Sequence, residues 1–299
     1  MPIGGLFYIY SITKTFTAVR VLQLAERGAF ALDDPITRHL QELTLPSTVT
    51  IRKLLNHSSG VPSYTDLPIY APAVRARPSN PWSYDEVLEF TCHGKLDFPP
   101  GESRHYSNSG YMLLLLLIEA VTRQSFTANV ERGIIQPLQL RHTHVAEEID
   151  RGRLVPGYCC YLNDAEAMEN VIPRYHPGWC KTGLIIAPAE EVAQFYCALF
   201  EGRLISAMSL SAMTSGVPVD APNEFFKKPG YGLGLMIDPD WGCGGLYGHG
   251  GDGPGYNTWA MHLPDFHGRC LTLAVFCNTS LSSHPFDLVK NLLEVLKDA

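Results

Sequence analysis

The segment Tyr111–Ile118, Tyr-Met-Leu-Leu-Leu-Leu-Leu-Ile, limits this chain more than any other feature. It is far short of the ~20 apolar residues that a membrane span requires. A helix apolar on every side is stable in water only where it is enclosed by other structure. The chain must therefore fold around it, and 299 residues suffice, as one large domain or two smaller ones. Hydrophobic residues make up 45% and charged residues 18%, which excludes a wholly disordered chain. The net charge of −7 carries no long run of one sign, which argues against nucleic acid or an anionic membrane as main partner.

Helical patterning runs from Ser11 to Arg27, with Phe16, Val19, Leu22 and Ala25 apolar and Gly28 at the stop. Ser11 stands where a hydroxyl caps a first turn. Ala31–Pro35 reads as a turn, and Thr50–Leu55 as a helix before the loop Asn56–Gly60. Val61–Pro81 reads as irregular surface. Ser83 and Glu86 fit a capping box for a helix to Phe90. Pro99-Pro100-Gly101 breaks the chain before Tyr106, and helices follow to about Arg141. Beyond that, Gly230–Ile237, Asn257–Leu263 and Arg269–Asn278 read as strands, and Phe286–Leu296 as a closing amphipathic helix. The pattern predicts an α/β fold, with about 1–40 and 185–299 as the α/β part and about 41–184 mainly helical. Eight cysteines without a Cys-x-x-Cys pair read as free or buried thiols in a reducing compartment.

Three segments carry side chains suited to acyl transfer. In Ser11-Ile-Thr-Lys14, positions i and i+3 share a helix face, so the amine reaches the hydroxyl. A desolvated lysine has a lowered pKa and accepts a serine proton. Such a tetrad also arises by chance about once in a chain this long. Tyr106-Ser107-Asn108 offers a proton relay and an amide for a substrate carbonyl, or else a tyrosine packed under a turn. His249-Gly250-Gly251-Asp252-Gly253-Pro254-Gly255 offers close backbone approach and oxyanion donors, or else a plain hairpin turn. His57, Asp33 and Asp34 read as turn-fixing residues. His142-x-His144 lacks a suitably spaced third ligand, so neither metal nor cofactor is expected.

In order along the chain, Tyr10-Ser-Ile-Thr-Lys-Thr-Phe-Thr-Ala, Leu32-Asp-Asp-Pro, Ile51-Arg-Lys-Leu-Leu-Asn-His-Ser-Ser-Gly-Val, Pro100-Gly, Tyr106-Ser-Asn-Ser-Gly-Tyr, Pro137-Leu, Tyr231-Gly-Leu-Gly-Leu and Gly248-His-Gly-Gly resemble the serine β-lactamase and penicillin-binding-protein superfamily. The branch most resembled holds class C β-lactamases, D-Ala-D-Ala carboxypeptidases, D-aminopeptidases and esterases. The likeness covers about residues 7–280. It implies a β-lactamase/transpeptidase-like antiparallel sheet flanked by helices, plus the helical subdomain. It makes Ser11 the acylated nucleophile, Lys14 its partner and Tyr106 the acid/base. Asn108 would bind the substrate amide or ester. The Ser11 and Asp252 amides would form the oxyanion hole, with His249-Gly250-Gly251 as counterpart of the family's Lys-Thr-Gly. The literal Lys181-Thr182-Gly183 precedes a helix and is set aside as that motif.

Two departures accompany the likeness. A histidine near half-titration at neutral pH replaces a permanent cation, so carboxylate capture at His249 is expected to be weaker and pH-dependent. This favours esterase or peptidase activity over efficient β-lactam hydrolysis. The second departure is that relatives place a helix and two strands before the serine, where this chain has ten residues. The usual N-terminal strands are therefore expected to be missing: either the chain is truncated, or another segment or a subunit, as in a homo-oligomer, covers the open sheet edge. The expected substrate is a small molecule or short peptide: an ester, a D-amino-acid amide or peptide, or a β-lactam. The alternative is a penicillin-binding or sensor-type module that acylates without turnover. With no signal peptide visible, a cytoplasmic location is expected.

Overall fold

The computed structural model describes residues 4–93, 95–149, 152–162, 167–219, 225–241, 244–280 and 285–297. Ten α-helices are described: α1 (Thr13–Glu26), α2 (Ile51–Leu55), α3 (Tyr70–Ala76), α4 (Tyr84–Thr91), α5 (Asn108–Thr122), α6 (Phe126–Val130), α7 (Gln136–Leu138), α8 (Ala189–Phe200), α9 (Ala207–Thr214) and α10 (Pro285–Lys297). The larger sheet is an antiparallel six-stranded meander. Its strands are β6 (Val217–Pro218), β7 (Gly230–Tyr231), β8 (Met236–Asp238), β9 (Leu246–Gly253), β10 (Tyr256–Phe266) and β11 (Arg269–Cys277). A small antiparallel sheet sets β5 (Ile185–Ala187) between β1 (Phe7–Tyr8) and β2 (His144–Val145), and β3 (Tyr158–Cys159) pairs β4 (Glu169–Asn170). No helix among the described residues is long and apolar enough to cross a membrane.

Strand alternation splits β10 between two helical layers. Trp259, Met261 and Leu263 turn toward α10, where they pack with Val289 and Leu293. On the other face Tyr256 and Ala260 join the main core, and His262 stacks on Phe200 of α8 at 3.9 Å. The apolar segment 111–118 lies inside α5, buried at Met112, Leu113, Leu114, Leu117 and Ile118. Each leucine so enclosed contributes about 1.5–3 kcal/mol of burial.

Helix α1 packs against both α5 and α6, and its residues Thr13–Leu24 are all buried. Gly28 (φ +76°) supplies the left-handed turn that ends it, with its amide donating to Ala25 O at 2.9 Å. The expected cap at its start differs, because Ser11 lies within a 3-10 turn, Tyr10–Ile12, and caps nothing. The Ser83–Glu86 capping box is formed as expected. The stretch 61–81 is more ordered than its composition predicts: it holds a 3-10 turn at Tyr64–Asp66 and helix α3, tied by Tyr64 and Tyr70 hydroxyls to Trp179 O. Of the glycine-rich segment 249–255, His249–Gly253 form most of β9, where small residues let the strand lie close against its neighbours, and Pro254-Gly255 make the hairpin turn into β10.

Candidate active site

The site begins at the turn before α1. Tyr10, unusually for a bulky residue, has φ +44°, held there by burial and by its hydroxyl donating to Pro254 O at 2.5 Å. One residue later Ser11 opens into a cleft. One helical turn on, Lys14 is fully buried, with Nζ at 2.9 Å from Ser11 Oγ, 2.7 Å from Asn108 Oδ1 and 2.9 Å from Thr182 Oγ1. Burial lowers the Lys14 amine to about 7. A neutral amine has two N–H groups and one lone pair. Asn108 and Thr182 satisfy the two donors, which leaves the lone pair toward the Ser11 hydroxyl.

Tyr106 sits under the same group, with Lys14 Nζ 4.8 Å from its ring centroid. Burial pushes its phenol well above the usual range, and a hydrogen bond with Ser11 only partly offsets this. The phenol therefore keeps its proton at neutral pH. Its place is fixed from below by His57, whose ring packs against Tyr106 at 4.3 Å and whose Nδ1 accepts from the Ser107 amide at 3.0 Å. His57 thus positions the tyrosine, beyond the turn-fixing role that its sequence context predicts. Asn108 begins α5. Its Oδ1 accepts from Lys14 and from the Thr182 hydroxyl at 2.9 Å, and its Nδ2 donates to Thr65 Oγ1 at 2.9 Å. The amide is engaged within the protein, so its first task is to orient Lys14.

Strand β9 brings the other wall. Its pairing with β8 stops at Gly248, so the edge beyond it faces the Ser11 turn. A side chain at Gly251 would meet Ile9 O at 2.1 Å, and one at Gly253 would meet the Tyr10 ring at 2.5 Å. Gly251 therefore serves close backbone approach, and Asp252 next to it lines the same cleft as Ser11. The expectation for His249 is overturned by strand alternation, which turns its side chain inward, where it is fully buried. Tyr231 OH lies 2.8 Å from Nε2, and Gly250 O lies 2.6 Å from Nδ1. This arrangement suits a neutral ring that is protonated on Nδ1. Burial first, then the nearby Lys14 charge, lowers its pKa to about 3. His249 neither lines the cleft nor holds a charge at neutral pH.

Two residues escaped the sequence reading. Thr182 belongs to the motif set aside, but only its hydroxyl enters the site. Lys181 points away, its Nζ donating to Trp82 O at 2.7 Å. Arg104 gave no signal beyond its place in the loop before Tyr106. Here it lines the cleft, its guanidinium 4.9 Å from the Tyr231 ring centroid.

Ser11, Asn108 and Asp252 lie at the junction of two clefts. The larger, about 560 Å³, is lined by Arg104, Tyr106, Tyr231, Met236, Asn257 and Trp259 among others. The smaller, about 400 Å³, is lined by Thr65, Tyr70, Cys159, Cys160, Tyr161 and Tyr175 among others. A serine hydrogen-bonded to a lysine whose pKa lies near 7, with a phenol beneath the amine and strand backbone alongside, gathers a nucleophile, a base and a proton donor in one cleft.

The Beta-lactamase family model matches residues 4–295, and the chain belongs to that family, within the serine β-lactamase and penicillin-binding-protein superfamily of serine hydrolases. Penicillin-binding protein 4* of Bacillus subtilis (strain 168) is 28% identical over 272 residues, covering 88% of this chain. The chain spans 59% of that relative's length. The D-stereospecific amidohydrolase from Streptomyces sp. is 30% identical, with a TM-score of 0.85 over 96% of this chain and 86% of the other. The octameric penicillin-binding protein homologue from Pyrococcus abyssi is 26% identical, with a TM-score of 0.80 over 98% and 66%.

Proposed function

We propose that this chain hydrolyses small esters, D-amino-acid amides or peptides, or β-lactams through a Ser11 acyl-enzyme, with ester and amide substrates favoured. One observation carries it: the Lys14 amine, lowered to about 7, lies 2.9 Å from the Ser11 hydroxyl. Lys14 takes the Ser11 proton as Oγ attacks the carbonyl carbon. The Ser11 and Asp252 amides receive the oxyanion. Tyr106, a phenol in the resting enzyme, gives its proton to the leaving atom and regains one from the water that later cleaves the acyl-enzyme, while Lys14 returns its proton to the departing Ser11 Oγ. Asn108 and Thr182 hold Lys14 in line, and Asn108 also borders the bound acyl group.

The Streptomyces relative, a D-stereospecific amidohydrolase by name, favours the amide branch. A panel of p-nitrophenyl esters, D-alanyl amides and nitrocefin, followed by turnover and intact mass, tests the proposal. Turnover of an ester or amide with rapid release of the acyl group is expected. A persistent adduct without turnover would mark the penicillin-binding or sensor-type module instead. β11 borders the larger sheet, and the Pyrococcus relative is octameric. We extend the proposal to a second copy covering that edge, and a monomeric mass by light scattering would count against this.

A further inference from the structure

We propose that Arg104 is a specificity-determining residue whose guanidinium receives a carboxylate carried on the leaving group of the substrate. This rests on the Ser11 reaction proposed above. A proton donor must reach the leaving atom, and Tyr106 lines the larger cleft but not the smaller one. The leaving group therefore occupies the larger cleft and the acyl portion the smaller. Among the described residues, Arg104 is the one cationic side chain lining either cleft.

Its state within the protein is incomplete. Among the described residues the guanidinium makes no hydrogen bond or ion pair, and its buried Nε has no partner. Stacking over Tyr231 holds it in place. Carboxylates do lie near this loop, but the adjacent His105 takes them: its Nε2 lies 3.3 Å from Asp66 and its Nδ1 3.1 Å from Asp97. Partly desolvated and unpaired, Arg104 gains most from an anion that a ligand brings, and its planar fork matches a carboxylate. The smaller cleft has no cation, and its lining of Tyr70, Tyr161 and Tyr175 is joined by the Asp252 carboxylate shared with the larger one. That carboxylate disfavours an anionic acyl group there and leaves the anion to the Arg104 end. Arg104 thus supplies the positive charge that sequence reasoning placed at His249.

The test compares the m-carboxyphenyl and m-carbamoylphenyl esters of N-acetyl-D-alanine. These share one acyl group and differ only in the charge on the leaving phenol. The carbamoyl phenol is the slightly better leaving group, so intrinsic reactivity does not favour the carboxylate. Wild type is expected to show a kcat/KM ratio of about 10–100 in favour of the carboxylate, the worth of one charged hydrogen-bonded pair. In Arg104→Met the ratio falls to about 1, while Arg104→Lys retains part of it. Equal rates for the two esters in wild type, or a ratio unchanged in Arg104→Met, would overturn the assignment of Arg104 alone. Hydrolysis of neither ester by wild type would overturn the proposed ester hydrolysis and the assignment with it. Wild type alone gives a second measure should the variants misfold. Stronger competitive inhibition by m-hydroxybenzoate than by m-hydroxybenzamide is expected, and equal inhibition would contradict the role.

Discussion

The helical wall of the site and its strand wall work by different means. On the helical side the chemistry resides in side chains: Ser11 in the 3-10 turn and Lys14 one turn on in α1, with Tyr106 just before α5 and Asn108 at its first residue. On the β9 side it resides in the backbone, and side chains count mainly through their absence at Gly251 and Gly253. The first kind of wall tolerates no change of functional group. The second tolerates many changes of residue but little change of volume.

The sharpest way to break this contrast is to remove the base. Lys14→Met is expected to lower the acylation rate by about 10⁴-fold, at the upper end for general base catalysis. Pre-steady-state release of p-nitrophenol checks this, and a loss under tenfold would mean that another group takes the Ser11 proton. Tyr106→Phe should cost about 10²-fold on D-amino-acid amides and markedly less on p-nitrophenyl esters, whose leaving group needs no proton. Equal losses on both substrates would deny Tyr106 its acid role.

On the strand wall the expected effects are smaller and physical in kind. Gly251→Ala forces a Cβ against Ile9 O, costing about 1–3 kcal/mol of stability. Thermal denaturation reads the loss, and an unchanged Tm would show that the strand yields freely. The smallest effect belongs to His249. The acid limb of kcat/KM should fall near pH 7, with rate rising as Lys14 loses its proton, because His249 stays neutral down to about 3. His249→Gln should leave that limb in place. A limb that moves with this substitution would return His249 to the role its sequence context suggests.

The same contrast explains what the sequence made legible. Ser11 and Lys14 could be paired because helical spacing alone puts them on one face. The buried helix around 111–118 and the strands β10 and β11 followed from apolar runs with clear breaks, though not their pairing. His249 was misplaced because a motif fixes position along a strand, whereas the direction of a side chain depends on register, and one residue reverses it. Thr182 reaches Lys14 from 168 positions away, through a loop with no local periodicity. Arg104 was silent for a similar reason: a lone arginine in a loop acquires meaning only once its lack of an ion partner is seen. Ser11 looked like a helix cap, and only the 3-10 turn with its strained Tyr10 shows why it does not act as one.

The central claim is that the Ser11 oxygen becomes covalently acylated, and intact-mass analysis with a fluorophosphonate probe addresses it most directly. Wild type is expected to gain one probe mass, located on the peptide containing Ser11, and Ser11→Ala to gain none. Equal labelling of both proteins would contradict the account.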